Sequence, residues 1–341
     1  MSGRSGRIAT ARGVAVARHA NESSSLGYGL EELKFLRSFA DARNLGAKFA
    51  YKLALRRSAS SGRAPAVPPS IQIEPTNICN LRCTTCPGAR SPYPRGFMDM
   101  GLFEKIISQA SRVGVKRVHL YLRGEPLLHP GIFEMVALSK SKGLAVHLTT
   151  NGTKLTPERS AGLFASGVTS ADQLTVSFLG HSKESHEATM VGVDHDLVVE
   201  NIRELMRLRG RLRANGPVVE VILNAPPENQ HESEDFLKFW RGKVDHARLG
   251  RISVEFQEYG RDAVNALKRT QPCNGTLERM PVFWDGKVPQ CNGDFDGEWI
   301  LGDLSTDLIA DVWNCDRLRE VRRLQREGRL DTLPGCLHCD M

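Results

Sequence analysis

The stretch IQIEPTNICNLRCTTCPG, residues 71–88, joins a strand-like run to three closely spaced cysteines, Cys79, Cys83 and Cys86. The spacing C-x3-C-x2-C packs three thiols into one short loop. A cubic iron–sulfur cluster takes four ligands, and Cys thiolates are the usual ones. Three such ligands would hold a cluster and leave one iron open, although three cysteines with a fourth ligand also suit zinc. The stretch therefore predicts a metal centre directly after a buried strand.

The whole chain has the composition of an ordinary globular protein. It has 341 residues, 40% hydrophobic and 25% charged, which is enough for a large core and a small second domain. No apolar run reaches the roughly 18 residues of a membrane-spanning helix. Residues 1–20 also lack the apolar centre of a signal peptide. We therefore expect a cytoplasmic protein.

The net charge of +7 is concentrated at the N-terminus. Residues 1–70 hold 12 Lys or Arg against 4 Asp or Glu, so the remaining residues sum to −1. A nucleic-acid-binding domain would instead carry a basic stripe on its folded body. We expect neither nucleic acid nor a membrane as a partner. The 8 cysteines, without a secretory signal, predict metal binding or catalysis rather than disulfides.

Strand-like and helix-like patterns alternate after residue 70. Residues 1–28 are predicted to be a disordered basic leader, and residues 29–69 a helical segment followed by a linker. Six strands are predicted, at 71–74, 117–121, 145–149, 173–178, 218–223 and 247–254. Five helices are predicted between them, at 102–112, 132–142, 157–166, 197–209 and 234–240. Because the strands look almost continuously apolar, residues 70–260 are predicted to form a parallel α/β sheet or barrel.

The alternation of strand-like and helix-like patterns changes after about residue 261. Four of the remaining cysteines bracket the segment that follows: Cys273, Cys291, Cys336 and Cys339. A hairpin is predicted at 283–288, turning at Asp285-Gly286, and a helix at 314–327 with Asn314 as its N-cap. Residues 261–341 are too few to form a stable hydrophobic core alone, so we predict a small domain stabilised by a bound metal centre. Taken alone, the four cysteines suit zinc as well as an iron–sulfur cluster.

Short polar turns follow several of the predicted strands. YLRGEPLLHP, residues 121–130, lies at the end of the second strand, TTNG, residues 149–152, ends the third, and SFLG, residues 177–180, ends the fourth. Asn224 and Arg251 lie at the ends of the fifth and sixth strands. Because parallel strands place their ligand sites at the carboxyl ends, we expect these turns to meet the cysteine loop.

The cysteine loop and the RGEP turn together resemble the radical S-adenosylmethionine (SAM) superfamily. Residues 71–88 look like its cluster loop, and Arg123-Gly-Glu-Pro126 looks like its Gly-Gly-Glu-Pro motif. The resemblance implies a partial (β/α)6 TIM-like barrel, with a [4Fe–4S] cluster on Cys79, Cys83 and Cys86 and with SAM on the open iron. It also implies a 5′-deoxyadenosyl radical that takes a hydrogen atom from the substrate, and a reducing partner such as flavodoxin or ferredoxin.

By position, the resemblance assigns five residues to SAM: Gly124, Glu125, Pro126, Asn151 and Ser177. The first three would hold the methionine amino group, and Ser177 the ribose. The chain departs from the family at two positions. Thr85 replaces the usual aromatic residue before the third cysteine, so the adenine contact must come from elsewhere. Arg123 replaces the first glycine of the second motif.

Beside such a core, the four C-terminal cysteines resemble the SPASM/twitch extension, which binds auxiliary iron–sulfur clusters. Four ligands suffice for one cluster, so the resemblance implies a second [4Fe–4S] cluster. The eighth cysteine, Cys315, remains unassigned at the start of the predicted last helix. It is either a small structural residue or an accessible, reactive thiol.

The resemblance leaves the reaction open. SPASM/twitch members modify peptides or small polar molecules. Residues 1–69, a predicted disordered leader and one helical stretch, have too little predicted structure for a peptide-recognition domain. We therefore expect a small sugar, aminocyclitol or nucleoside-like substrate. Epimerisation with Cys315 as hydrogen-atom donor competes with dehydrogenation of a secondary alcohol, in which the auxiliary cluster takes the electron. Of these we expect epimerisation. Decarboxylation of a uronic-acid nucleoside, peptide maturation and a non-catalytic metal scaffold also stay open.

Overall fold

A wholly parallel sheet of seven strands forms the centre of the computed structural model. The structure describes residues 64–250, 273, 275–329, 332, 333 and 336. The predicted leader, the N-terminal helical segment and the boundary at residue 261 lie outside these ranges. Among the described helices, none combines the length and the apolar character that a bilayer crossing requires.

The strands begin and end close to the predicted positions. They are β1 (Ser70–Ile73), β2 (Arg82–Cys83), β3 (Arg117–Leu120), β4 (Ala145–Thr150), β5 (Gln173–Phe178), β6 (Met190–Val191), β7 (Val218–Leu223), β8 (His246–Leu249), β9 (Arg279–Val282), β10 (Lys287–Pro289) and β11 (Ile300–Asp303). The large sheet has the order β8-β7-β5-β4-β3-β1-β9, while β2 pairs with β6 and β10 with β11. Five predicted strands and the described part of the sixth are thus confirmed, which supports the α/β fold class; residues 251–254 of the sixth lie outside the described residues.

The described helices lie between the strands and after them. They are α1 (Met100–Val113), α2 (Ile132–Ser141), α3 (Pro157–Ala165), α4 (Lys183–Thr189), α5 (His195–Arg211), α6 (Ser233–Trp240), α7 (Gly275–Glu278), α8 (Ile309–Trp313) and α9 (Asp316–Arg326). Four of them begin at a side chain that accepts the backbone N–H three residues on: Asp99, Thr156, Ser182 and Asp194. Such caps satisfy donors that a helix start leaves unpaired, which fixes where these helices begin.

The C-terminal segment contributes a strand that the sequence analysis missed. β9 pairs in parallel with β1, so the sheet has seven strands rather than six. The turn at 283–288 does form, because Phe283 N donates to Lys287 O at 2.8 Å and Gly286 adopts a φ of 93°. However, β10 pairs with β11 and not with β9. The predicted hairpin is therefore wrong in its partner strand, although its turn is right.

The last helix starts two residues later than predicted. α9 begins at Asp316, and Cys315 is the residue that precedes its first turn. Asn314 is not its cap. Asn314 instead ends α8, where its side-chain amide donates to the carbonyl of Ala310 at 2.8 Å.

The strands are not continuously apolar, contrary to the prediction. Along each long strand, one residue in two packs with the helices in the buried core, as Val118, Leu148 and Val221 do. The residues between them, such as His119 and Thr175, are polar and lie on the opposite face of the sheet. Alternation of this kind follows from the period of a strand, because successive side chains point to opposite faces. The inner face of the sheet is consequently hydrophilic.

Candidate active site

The three cysteines of the first loop line a single cavity of about 320 Å³. Four of the five residues assigned to SAM line it as well: Gly124, Glu125, Asn151 and Ser177. These residues come from the carboxyl ends of β3, β4 and β5, so the cavity opens where a parallel sheet places its ligand site. Its volume is that of a small-molecule pocket. Pro126 does not line it and instead opens a short 3-10 turn.

The three thiols lie close enough to influence one another. The pKa of the Cys83 thiol is raised to about 12, mainly by burial and further by the neighbouring Cys86 and Cys79. Without a metal the Cys83 thiol therefore stays protonated at neutral pH, and a bound metal would displace its proton. Three convergent thiols beside an open cavity fit a cluster held by three protein ligands, with one position left for another molecule.

Gly124 sets the position of the cysteine loop. A Cβ atom at this residue would lie 2.3 Å from the carbonyl oxygen of Thr76 and 2.6 Å from that of Ile78. The backbone N–H of Glu125 donates to the same Ile78 oxygen at 2.9 Å. The close approach requires glycine, because any side chain would push the chain that leads into Cys79 away from β3.

The carboxylate of Glu125 connects the ends of β3 and β4. It is buried and accepts from Leu127 N at 3.0 Å, from the Thr150 hydroxyl at 2.7 Å and from Asn151 N at 2.7 Å. Burial raises the pKa of Glu125, while these donors stabilise its charge. Three donors already occupy the carboxylate. Glu125 therefore primarily holds the ends of β3 and β4 together and so shapes the cavity wall.

Asn151 contacts the cysteine loop directly. Its side-chain amide donates to Asn80 Oδ1 at 3.1 Å and approaches Cys79 Sγ at 3.9 Å. Its Oδ1 accepts from the backbone N–H of Thr153 at 3.0 Å. The side chain thus orients the first cysteine from the end of β4.

Arg123, the departure from the expected glycine, ties the cysteine loop to the C-terminal segment. Its guanidinium forms a buried two-pronged ion pair with Glu74, at 2.7 Å for both contacts. It lies 4.5 Å from the ring centroid of Tyr93 and 3.6 Å from that of Phe283. It also donates to the carbonyl of Phe295, which lines the cavity. A planar guanidinium suits this combination of ion pair and ring stacking better than a lysine would.

The C-terminal cysteines that the structure describes lie in one neighbourhood. Cys273 and Cys336 are buried, and Cys291 is half-buried. A Cβ atom at Gly275 would lie 3.4 Å from Cys273 Sγ and 3.7 Å from the side chain of Asn292, the neighbour of Cys291. Cys336 Sγ in turn is within 3.9 Å of the amide of Gln290, on the other side of Cys291. Cys339 lies outside the described residues. The grouping fits a second, enclosed metal centre.

Family models match both parts of the chain. The radical SAM superfamily model covers residues 73–239, and the SPASM iron–sulfur cluster-binding domain covers residues 273–340. The chain belongs to the radical SAM superfamily. It is therefore a radical SAM enzyme that uses SAM with a [4Fe–4S] cluster, and its SPASM domain carries an auxiliary iron–sulfur cluster.

Relatives of this radical SAM enzyme have different activities. It is 25% identical to the tungsten-containing aldehyde ferredoxin oxidoreductase cofactor-modifying protein of Pyrococcus furiosus, over 80% of the chain and 87% of that protein. It is 23% identical to the S-adenosyl-L-methionine-dependent 2-deoxy-scyllo-inosamine dehydrogenase of Niallia circulans, over 79% of the chain and 92% of the dehydrogenase. The crystal structure of BtrN in complex with AdoMet and 2-DOIA covers 81% of the chain and 94% of its own, with a TM-score of 0.55 and 18% identity. The structural likeness establishes the fold.

Cys315 does not line the cavity of the radical SAM core. The residues just before it contact the segment that leads into β1, because Trp313 Nε1 donates to Pro65 O at 2.8 Å and the Asn314 amide to Ala66 O at 2.9 Å. That segment enters the sheet at its amino end, whereas the three loop cysteines lie at the carboxyl end. The structure therefore does not bring the proposed hydrogen-atom donor to the radical.

Two cavity residues, Met190 and Phe295, lie outside the stretches that the sequence singled out. No local signal marks Phe295. Asn224 lines the cavity as expected, while Arg251 lies outside the described residues.

Proposed function

We propose that this radical SAM enzyme dehydrogenates a secondary alcohol of a small, hydroxyl-rich molecule such as an aminocyclitol or sugar. The polar inner face of the sheet carries the proposal. Four of its residues line the cavity: Tyr121, Thr149, Ser177 and Asn224. Further polar residues lie on the same face behind them: Gln72, His119, His147, Thr175 and Glu220.

A chain of hydrogen bonds crosses this face. His119 Nδ1 lies 3.2 Å from His147 Nδ1, and His147 Nε2 lies 2.9 Å from the hydroxyl of Thr175. Thr175 donates its only proton to Glu220 at 3.2 Å, so His147 must donate through Nε2 and accept at Nδ1. His119 then donates through Nδ1, and its buried Nε2 is a bare acceptor without a partner among the described residues.

The face presents hydrogen-bonding groups with little free charge. Burial lowers the pKa of both His119 and His147 well below 6.5, so both rings are neutral at physiological pH. Glu220 is paired with Arg248 at 2.9 Å. Neutral donors and acceptors in a partly desolvated wall favour hydroxyl groups over charged ones, because an unpaired charge there would lose its hydration.

The relative from Niallia circulans supports the same substrate class. That protein is a SAM-dependent dehydrogenase of 2-deoxy-scyllo-inosamine, a hydroxyl-rich amine. The similarity extends over most of both chains. It therefore includes the C-terminal segment as well as the core.

The position of Cys315 favours dehydrogenation over epimerisation. An epimerase must return a hydrogen atom to the substrate carbon, and no cysteine other than the three loop ligands lines the cavity within the described residues. A dehydrogenase needs no such donor. When bound, the core cluster with SAM supplies hydrogen-atom abstraction, and the auxiliary cluster supplies an acceptor for one electron.

The reaction would balance with one SAM and one electron from a reductant. That electron would cleave SAM into methionine and a 5′-deoxyadenosyl group, which would take a hydrogen atom from the carbinol carbon. The hydroxyl would lose its proton, and the electron that leaves the organic radical to give the ketone would pass to the auxiliary cluster. Among the inner-face residues, Tyr121, Thr149, Ser177 and Asn224 line the cavity, and their side-chain oxygens can accept a hydrogen bond from that hydroxyl.

Anaerobic reconstitution with iron, sulfide, SAM and a reductant tests the proposal. Incubated with a panel of aminocyclitols and sugars, the enzyme should form 5′-deoxyadenosine together with a ketone lighter than the substrate by a pair of hydrogens. A substrate deuterated at the carbinol carbon should pass the label to 5′-deoxyadenosine. Cys315→Ala should retain this activity. An epimer of unchanged mass, formed only when Cys315 is present, would overturn dehydrogenation.

A further inference from the structure

Helix α9 buries two polar side chains beside the C-terminal cysteines. Arg322 and Gln325 are 5% and 6% exposed, although most long polar side chains stay at the surface. They lie three positions apart and therefore share one face of the helix. Both contact α7, the turn that follows Cys273: Arg322 Nε donates to Thr276 O at 2.9 Å, and Gln325 Oε1 accepts from the Thr276 hydroxyl at 2.8 Å.

Two glutamine amides converge on one cysteine sulfur. Gln325 Nε2 lies 3.6 Å from Cys336 Sγ, and Gln290 Nε2 lies 3.9 Å from the same atom. A cysteine that binds iron is a thiolate and accepts hydrogen bonds, so the NH2 group of each amide faces the sulfur. For Gln325 this orientation leaves Oε1 for the hydroxyl of Thr276. Both glutamines are buried, so the donors are fixed in place.

Arg322 brings a buried positive charge to the same region. Nη1 donates to Trp313 O at 2.8 Å, and the guanidinium lies 4.1 Å from the Trp313 ring centroid. Nη2 is buried and has no hydrogen-bond partner among the residues that the structure describes. Cys315 is near enough to favour the charged guanidinium, but it does not hydrogen-bond Nη2. A buried cation of this kind requires a nearby anion, since charges leave water only when they are paired.

We propose that Gln290, Gln325 and Arg322 form a positively polarised layer that raises the reduction potential of the auxiliary cluster. An iron–sulfur cluster with cysteine ligands is an anion that becomes more negative on reduction. Hydrogen bonds to ligand sulfur and a nearby cation stabilise the reduced form more than the oxidised form. The protein thereby prepares this cluster to accept an electron. The role of the auxiliary cluster as electron acceptor rests on the proposed dehydrogenation, whereas the raised reduction potential does not.

A redox titration of the full chain tests the layer. The variant Cys79→Ala/Cys83→Ala/Cys86→Ala removes the core cluster, so the electron paramagnetic resonance signal of the reduced protein comes from the auxiliary cluster alone. In this background, Arg322→Met and the pair Gln290→Leu/Gln325→Leu should each lower the midpoint potential. We expect the equilibrium constant for reduction to fall about tenfold, which is about 59 mV for one electron.

Two variants serve as controls. Gln109→Leu removes another buried glutamine, one that accepts from Ile309 N at 3.2 Å and does not approach a cysteine; it should leave the potential unchanged. Arg322→Lys keeps the charge and should keep most of the potential. A midpoint that stays within the range of Gln109→Leu in both test variants would overturn the proposal. Iron content per chain is measured first. If Arg322→Met binds no iron, the variant Gln290→Leu/Gln325→Leu decides the outcome. If that double variant also binds no iron, Gln290→Leu and Gln325→Leu are measured separately in its place.

The result is separable from the proposed function. A lowered potential in the variants, combined with no ketone from any hydroxyl-rich substrate, would support the layer and reject the dehydrogenase. Ketone formation with unchanged potentials would support the dehydrogenase and reject the layer.

Discussion

The two cysteine sites of this enzyme are built in opposite ways. In the core, Cys79, Cys83 and Cys86 come from one short loop that backbone contacts from Gly124 and Glu125 hold against β3. These thiols face an open cavity. In the C-terminal site, the described cysteines come from separate segments and are surrounded by buried side chains. The core site is thus shaped to receive a ligand, whereas the auxiliary site is enclosed and its properties are set by the protein.

Removing one cysteine from each site should produce the largest difference between them. Cys79→Ala deprives the core cluster of a ligand, so 5′-deoxyadenosine formation should fall by about a hundredfold or more. Cys273→Ala should leave SAM cleavage in place but abolish ketone formation. Both products are quantified by chromatography against iron content. Equal loss of SAM cleavage in the two variants would contradict the division of labour between the sites.

Removing Arg123, which pairs with Glu74 in the core and contacts Phe283 in the C-terminal segment, should have the next largest effect. Arg123→Met leaves the buried Glu74 carboxylate unpaired, and we expect the free energy of unfolding to fall by about 3–5 kcal/mol. Arg123→Lys keeps the charge but loses the two-pronged contact, so its loss should be smaller. Urea unfolding measures both. As a matched control, Arg319→Met removes an exposed pair with Asp316 and should change little.

Gly124→Ala should disturb the core site selectively. Its Cβ atom would collide with the carbonyl oxygens of Thr76 and Ile78, so we expect a loss of about 1–3 kcal/mol in stability together with lower core iron. The auxiliary cluster should still assemble, which its resonance signal would report. Gly210→Ala, in α5 with no atom within 4 Å of its Cβ position, should be neutral or stabilising. Parallel loss of both clusters in Gly124→Ala would argue that the sites assemble together.

Acid sensitivity should arise in the core and have the smallest effect near neutral pH. Burial holds the pKa of His119 and His147 well below 6.5 in the folded protein, whereas the unfolded chain protonates near 6.5. Their contribution to stability is therefore complete above about pH 6.5 and declines as the pH falls below it, by up to about 1.4 kcal/mol per pH unit for each histidine. Urea unfolding at several pH values should show a flatter dependence for His119→Gln/His147→Gln. Residues 273–329 contain no histidine, so variants there should keep the wild-type slope.

Local patterns were sufficient to predict most of the core. The strands and helices of the first six units follow from hydrophobic periodicity, and the cysteine loop from spacing within one short segment. β9 was missed because it is a four-residue edge strand containing Pro281, a residue that argues against a strand in sequence. The Glu74–Arg123 pair joins residues 49 positions apart, and only the unexpected arginine hinted at it.

The position of Cys315 shows where the sequence was insufficient. Its place at the start of the last helix was predicted to within one residue, but a helix end carries no information about which end of the sheet lies nearby. That depends on contacts of Trp313 and Asn314 with Pro65 and Ala66, across most of the chain. Chemistry inferred from residue type therefore needed the tertiary structure before it could be assigned to the cavity.

The pairing of β9 with β1 leaves the sheet unfinished for most of the time that the chain is being made. At typical translation speeds, about 10–40 s pass between the emergence of the cysteine loop and that of β9. Throughout this interval the outer edge of β1 is bare, and a bare strand edge is a template for aggregation. Nascent chains of this enzyme should thus depend on a chaperone until β9 arrives.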